Sequence, residues 1–169
     1  MKFDTGTELP DNFVLTKEFS DVYNLINDTN VNLFITGKAG SGKSTLLEYF
    51  RQNTNKNFVT LAFQGITAIK AKGQTLHSFF KFGPHFLAKE EIKLLKDKSL
   101  IQSLDTILID EISMVRADLF DAIDLSLKKN RKNNKPFGGV QMIVFGDVMQ
   151  IDPIVGSSDE EMMEKFYPK

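Results

Sequence analysis

Gly37, four residues, then Gly42-Lys43-Ser44 is a spacing suited to holding phosphate, and it lies in the stretch VNLFITGKAGSGKST, residues 31–45. Glycines at 37, 40 and 42 let the backbone turn tightly and aim its N–H groups at phosphate oxygens. A helix opening at the end of the loop adds partial positive charge at the same point. The Lys43 ammonium can reach the β- and γ-phosphates, and the Ser44 hydroxyl can ligate Mg²⁺. A bare match of this kind can be an ordinary glycine turn. Here an apolar run, Val31 to Ile35, precedes it and a helical pattern from Thr45 to about Gln52 follows, which is the context phosphate binding requires. The expected contacts for ATP or ADP are Gly37, Ala39, Gly40, Ser41, Gly42, Lys43, Ser44 and Thr45.

A second group of polar residues lies downstream. Asp110 ends the run Thr106-Ile107-Leu108-Ile109, where a magnesium-holding carboxylate after a buried strand belongs, and Glu111 beside it is placed to polarise an attacking water. Taken alone, a paired acid after a strand reads more readily as a solvated strand end; the phosphate loop upstream reverses this and favours the catalytic reading. Gln150, in GDVMQIDP, offers a neutral amide that can sense the γ-phosphate, or else is a surface amide.

The stretch AFQGITAIKAKGQTLHSFF, residues 62–80, is less easily derived. Gln64-Gly65 opens a helix whose N–H groups suit a second anion. Thr75, His77 and Ser78 cluster hydrogen-bonding groups. Phe79, Phe80, Phe82 and Phe86 can stack bases, although aromatics at this spacing more often form core. His77 and His85 have no ligand partner pattern, which argues against histidine-bound metal. Lys128-Lys129-Asn130-Arg131-Lys132 reads as a solvated helix end with cations favouring the dipole, with a nucleic-acid contact as the alternative.

Several elements must position these groups. Phe19, Val22, Tyr23 and Ile26 at helical spacing predict a helix over residues 17–28 with Thr16 as its N-cap. Strands are expected at 31–35, 58–63, 106–109 and 141–145. Helices are expected at 45–52, at 65–71 ended by Gly73, around 75–80, at 88–98 with Ile92, Leu94 and Leu95 inward, and at 118–129. Met1 to Asp11 reads as an irregular arm. Alternation of this kind predicts an α/β fold, a parallel sheet with helices on both faces, with ligands at the carboxyl ends of the strands. Gly37, Gln64, Asp110 and Asp147 all fall just past those ends.

The chain has 169 residues, suited to one domain, with 41% hydrophobic and 25% charged residues. A net charge of −1 gives no global attraction to nucleic acid, and the absence of cysteine excludes disulfides and thiolate metal sites. No signal-like N-terminus and no apolar run of membrane-spanning length is present, so an intracellular protein without a membrane partner is expected.

GKAGSGKST, AFQGITA with GQTLHSFF, DEISMV and GGVQMIVFGDVMQIDP together resemble helicase motifs I, Ia with its extension, II and III. The set is most similar to the Pif-type (petite integration frequency) family of superfamily 1B DNA helicases, and DLFDAIDLSLKKNRKN resembles that family's own signature. The resemblance runs from about Leu15 to Ile154. It implies a RecA-like P-loop ATPase domain, a three-layer sandwich over residues 13–169, with the strand before Gln150 lying between those of Lys43 and Asp110. It implies ATP-driven 5′→3′ translocation on single-stranded DNA. Lys43 would bind phosphate, Ser44 and Asp110 would hold Mg²⁺, Glu111 would be the base and Gln150 the γ-phosphate sensor. Gln64, Gly65, Thr75 and His77 would contact the DNA backbone.

Two departures stand out. The family usually places an adenine-reading glutamine after a Leu-Thr/Ser-x-Glu run; here Leu15-Thr16-Lys17-Glu18 is followed by Phe19, which also fits the apolar helix face. The sequence also stops soon after motif III, so it reads as a monomeric N-terminal fragment whose partner, a second RecA-like domain, lies elsewhere in the parent chain. Rival readings are a small nucleotide kinase, which would want an arginine-rich lid where only Arg51, Arg116 and Arg131 exist, and a non-catalytic nucleotide-binding module.

Overall fold

The computed structural model describes Leu9 and residues 12–37, 40–70, 73–147 and 153–168. Ala39 and Gln150 lie outside the described residues, as do 10 of the first 11 positions, where the irregular arm was expected.

In chain order the elements are α1 (Lys17–Asp28), β1 (Leu33–Thr36), α2 (Lys43–Asn53), β2 (Phe58–Ala62), α3 (Gly65–Lys70), β3 (Gln74–Thr75), α4 (Leu76–Phe80), α5 (Ser99–Ser103), β4 (Thr106–Asp110), α6 (Ala117–Arg131), β5 (Gln141–Gly146) and α7 (Glu160–Phe166). Thr16 caps α1 as expected, its hydroxyl accepting from the Phe19 N–H at 3.2 Å. The sheet has the order β1-β5-β4-β2-β3 and every pairing is parallel. β5, which precedes Gln150, therefore lies between the strands of the phosphate loop and of Asp110, as the resemblance implies.

Side-chain alternation along the strands divides the core. Ile107, Ile109 and Met142 point to one face, where they pack with Phe79, Phe80, Leu119, Ile123 and Leu127 from α4 and α6. Leu108, Ile143 and Phe145 point to the other, against Ile26 of α1 and Leu46, Leu47 and Phe50 of α2. Two helical layers thus enclose the sheet, and each fully buried side chain of this size contributes about 1.5–3 kcal/mol. Phe79 and Phe80 are core rather than base platforms. Phe19 packs at the second core beside Phe13 and Tyr49, with ring centroids 5.3 and 5.9 Å away.

Three expectations need correction. First, residues 88–98 do not form a helix. Only a 3₁₀ turn, Lys89–Glu91, is present. Side chains of α6 take the backbone groups a helix would need: Asn130 Oδ1 accepts from the Leu95 N–H at 2.9 Å and Lys129 donates to the Ile92 carbonyl at 2.8 Å. Ile92 is buried, but Leu94 is 56% exposed, not inward. Tertiary contacts override propensity here.

Second, the Lys128–Lys132 run is only in part the solvated helix end expected. Lys129 and Lys132 are exposed, and Lys128, Lys129 and Arg131 lie in the last turn of α6, but most of the side chains are engaged. Lys128 pairs with Asp124 at 2.6 Å, Asn130 is buried, and Arg131 donates to the carbonyls of Ile101, Gln102, Leu104 and Gly138. These side chains join α6 to α5 and to the turn before β5.

Third, Gln74–Thr75 is a strand, a fifth member of the sheet at its edge, pairing Leu61 with Gln74 and Ala62 with Thr75. It depends on Gly73: a Cβ there would sit 1.9 Å from the Thr60 carbonyl oxygen. Gly73→Ala should therefore expel β3 from the sheet and lower stability by roughly 1–3 kcal/mol. Gly65→Ala is the matched control, because its Cβ would meet nothing within 4 Å. Equal denaturant midpoints for the two variants would contradict this packing account.

Candidate nucleotide site at the strand ends

The carboxyl ends of the strands bring the phosphate loop, the acidic pair and α3 to one rim. Register fixes the levels: Thr36 lies beside Gly146, and Asp110 beside Ala62, which is beside Thr75. β1 delivers the chain to Gly37, and α2 begins at Lys43 with Gly42 as its N-cap. Gly40 and Gly42 have φ of 79° and 90°, a left-handed region that glycine enters without a Cβ penalty. That turn directs the first N–H groups of α2 and the side chains of Lys43, Ser44 and Thr45 to the same end of the helix. The Lys43 ammonium folds back and donates to the Gly37 carbonyl.

Asp110 is partly buried at the end of β4, and its Oδ1 accepts from the Glu111 N–H at 3.0 Å. Burial holds its carboxyl above the usual carboxylate range; the Glu111 N–H and the nearby Lys43 charge oppose this, and the Glu111 charge adds to it. Glu111 has φ 54° and ψ 51°, left-handed for a residue with a side chain, and starts the 3₁₀ turn Ile112–Met114. Its Oε2 accepts a hydrogen bond from the Thr67 hydroxyl at 2.8 Å.

The donors at this rim suit magnesium. A hydroxyl at Ser44 and a carboxylate at Asp110 are hard oxygen ligands, and Mg²⁺ prefers one or two carboxylates completed by phosphate and water. Among the described residues no group of three or more His, Cys, Asp or Glu could cage a metal. Such a site relies on the nucleotide for its remaining ligands.

The buried Asp110 has a stability consequence. A carboxyl whose folded pKa is raised contributes stability below its unfolded pKa and loses it as pH rises through the folded value. Wherever this carboxyl is ionised, its burial therefore opposes folding of the ligand-free protein. Asp110→Asn should raise the melting temperature of the ligand-free protein at pH 7, while removing the extra stabilisation that Mg²⁺ gives to bound nucleotide. A lower melting temperature for the ligand-free variant would contradict the desolvation argument.

The remaining candidates divide. Gln64 and Gly65 are exposed at the start of α3, next to Ile66 and Ile69, 70% and 77% exposed. Thr75 caps α4, accepting from the Ser78 N–H at 3.2 Å. His77 is half-buried, edge-on to Phe63 at 5.6 Å between ring centroids. Burial, then the Arg116 charge, pushes its pKa down against a smaller opposite effect of Asp118, so it is neutral at pH 7. A cleft of about 690 Å³ is lined by Phe80, Phe82, Ile92 and Leu95, and no described phosphate-loop residue borders it.

Two groupings were not legible in the sequence. Thr67 contacts Glu111 although 44 residues separate them. Arg116 grips Asp118 with two hydrogen bonds, at 2.9 and 2.7 Å, and Asp159 with a third at 2.8 Å. Asp118 also accepts from the Leu87 N–H. No spacing rule connects Arg116 to Asp159.

A family model described as PIF1-like helicase matches residues 14–167. The ATP-dependent DNA helicase RRM3 of Saccharomyces cerevisiae is 35% identical over 163 residues, covering 90% of this chain and 22% of that protein. A solved structure of DNA unwinding at forked duplex DNA by two coordinating Pif1 helicases matches 93% of this chain with a TM-score of 0.85 and 40% identity. Pif1 helicase from Bacteroides in complex with ADP-AlF3 and single-stranded DNA matches 94% with a TM-score of 0.84 and 39% identity. The chain spans 39% and 38% of those two solved chains. The sheet order and these matches agree with the expected RecA-like fold.

Proposed function

The chain belongs to the PIF1-like helicase family, and on that premise we propose that it is the ATP-binding and hydrolysing domain of a DNA helicase. The observation that carries this reading is the convergence of the phosphate loop with Asp110 and Glu111 on one sheet rim. The loop glycines and Lys43 hold the phosphates. Ser44 and Asp110 would hold Mg²⁺, which would neutralise phosphate charge. Glu111 orients a water and takes its proton as the water oxygen bonds to the γ-phosphorus and the bridging oxygen leaves with ADP. Gln150 follows β5 in sequence and is assigned the γ-phosphate sensor.

The partner is single-stranded DNA, supported by the relative whose structure holds it with ADP-AlF3. Gln64, Gly65, Thr75 and His77 supply one side of the track. With a neutral His77 and a net charge of −1, binding by this chain alone is weak. A second RecA-like domain supplies the other side, and movement is 5′→3′. The setting is intracellular. A nucleotide kinase is disfavoured because Arg51, Arg116 and Arg131 are each engaged within the fold.

The test is ATP turnover and strand separation by the intact protein. Turnover stimulated by single-stranded DNA, with unwinding of a duplex carrying a 5′ tail but not a 3′ tail, is the expected result. ATP turnover indifferent to DNA would overturn the motor reading, and unwinding only from 3′ tails would overturn the direction.

A further inference from the structure

We propose that Thr67 is a positioning residue that restrains the Glu111 carboxylate in the DNA-free protein, making ATP hydrolysis respond to DNA through α3. This rests on the reading of Glu111 as the base and of α3 as part of the DNA track.

The geometry is direct. Ala62 at the end of β2 lies beside Asp110 at the end of β4, so the residues following each strand are neighbours on the rim. Five residues past Ala62, Thr67 donates its hydroxyl hydrogen to Glu111 Oε2 at 2.8 Å. The helix that carries it has two different sides. Ile66 and Ile69 are 70% and 77% exposed, whereas Ala68 is 3% exposed and Thr67 is partly buried toward the acidic pair. The exposed end begins at Gln64 and Gly65, the groups assigned to the DNA backbone. One short helix therefore presents its first residues to the track and its third to the base.

The base itself is held from two directions. Its left-handed backbone, φ 54°, fixes where the side chain leaves the chain. The Thr67 hydroxyl then fixes where the carboxylate ends. A hydroxyl–carboxylate bond is charge-assisted and directional, and it weakens steeply once the distance or angle departs from ideal. α3 is only six residues long. A shift of less than 1 Å at this helix on DNA binding is on the order of what separates a good hydrogen bond from none. Release frees Oε2 to align the attacking water. Coupling then requires that DNA favour the released over the bonded arrangement of this contact.

The experiment compares Thr67→Val, which removes the donor while keeping the branched shape, with Thr67→Ser, which keeps the donor. ATP kcat and KM are measured in the intact protein without DNA and with saturating oligo-thymidylate. Thr67→Val should raise the DNA-free kcat at least threefold while leaving the KM for ATP and the DNA-saturated kcat within twofold. The stimulation ratio then falls at least threefold, and Thr67→Ser restores it. A wild-type stimulation ratio in Thr67→Val, including a proportional fall in both rates, would overturn the inference. Thr67→Ala, which removes the same donor without adding a methyl group, carries the test if the valine variant does not fold. Wild-type turnover that survives Glu111→Gln would instead overturn the assignment of the base, and this inference with it.

Discussion

A polypeptide of these 169 residues alone should turn over ATP about 10³–10⁵-fold more slowly than an intact helicase containing them, because phosphoryl transfer needs an arginine on the developing charge. All three arginines of the sequence are held in place by other work. Arg51 donates to the Thr60 hydroxyl at 2.8 Å with its guanidinium 5.9 Å from the Phe58 ring centre. Arg131 is fixed on four backbone carbonyls at the far end of α6. Arg116, nearest the acidic pair in sequence, is bonded to Asp118 and Asp159, and those carboxylates raise its pKa further. Moving Arg116 to a phosphate would leave the buried Asp118 uncompensated, a loss of about 3–5 kcal/mol when one partner of such a pair goes. On the proposed reading the charge comes from residues outside this sequence, in the second RecA-like domain proposed above. Steady-state assays of the isolated chain and the intact protein with saturating single-stranded DNA make the comparison. Equal rates would show that one of these three arginines does reach the γ-phosphate.

Glu111→Gln should lower kcat of the intact protein by about 10²–10⁴-fold, the usual contribution of a general base. The amide has the same shape and its oxygen can still accept from Thr67, but it cannot take a proton from water. With the loop and Asp110 as the proposed nucleotide and Mg²⁺ holders, affinity for MgATP should change less than twofold. Rapid-quench kinetics beside equilibrium binding separate the two quantities. Wild-type turnover in the variant would move the base to another residue. A large loss of affinity would show that Glu111 holds the nucleotide.

The site was more legible than the surface around it. A phosphate loop is written in consecutive residues, because glycine geometry, the lysine and the helix start must be adjacent in the chain. The Thr106–Asp110 and Gln141–Gly146 strands were legible for a similar reason: a parallel strand buried on both faces is a short, nearly continuous apolar run. The two-residue strand β3 carries no such signal, since a steric requirement at Gly73 and not a side-chain pattern places it. The Ala88–Lys98 stretch has helical composition, yet Asn130 and Lys129 capture its backbone. The Thr67–Glu111 and Arg116–Asp159 contacts join residues 44 and 43 positions apart. Such pairings become visible only once strand order is known. Phe19 shows the converse: its helical spacing pointed to core, and it packs there.

Nucleotide binding by the proposed phosphate loop should depend on Lys43. Isothermal titration of MgADP into the wild-type chain and Lys43→Ala tests it most directly. Losing the charge-assisted contact should remove about 1.5–3 kcal/mol of binding free energy, at least a tenfold rise in Kd. Equal affinity for the two proteins would contradict the account.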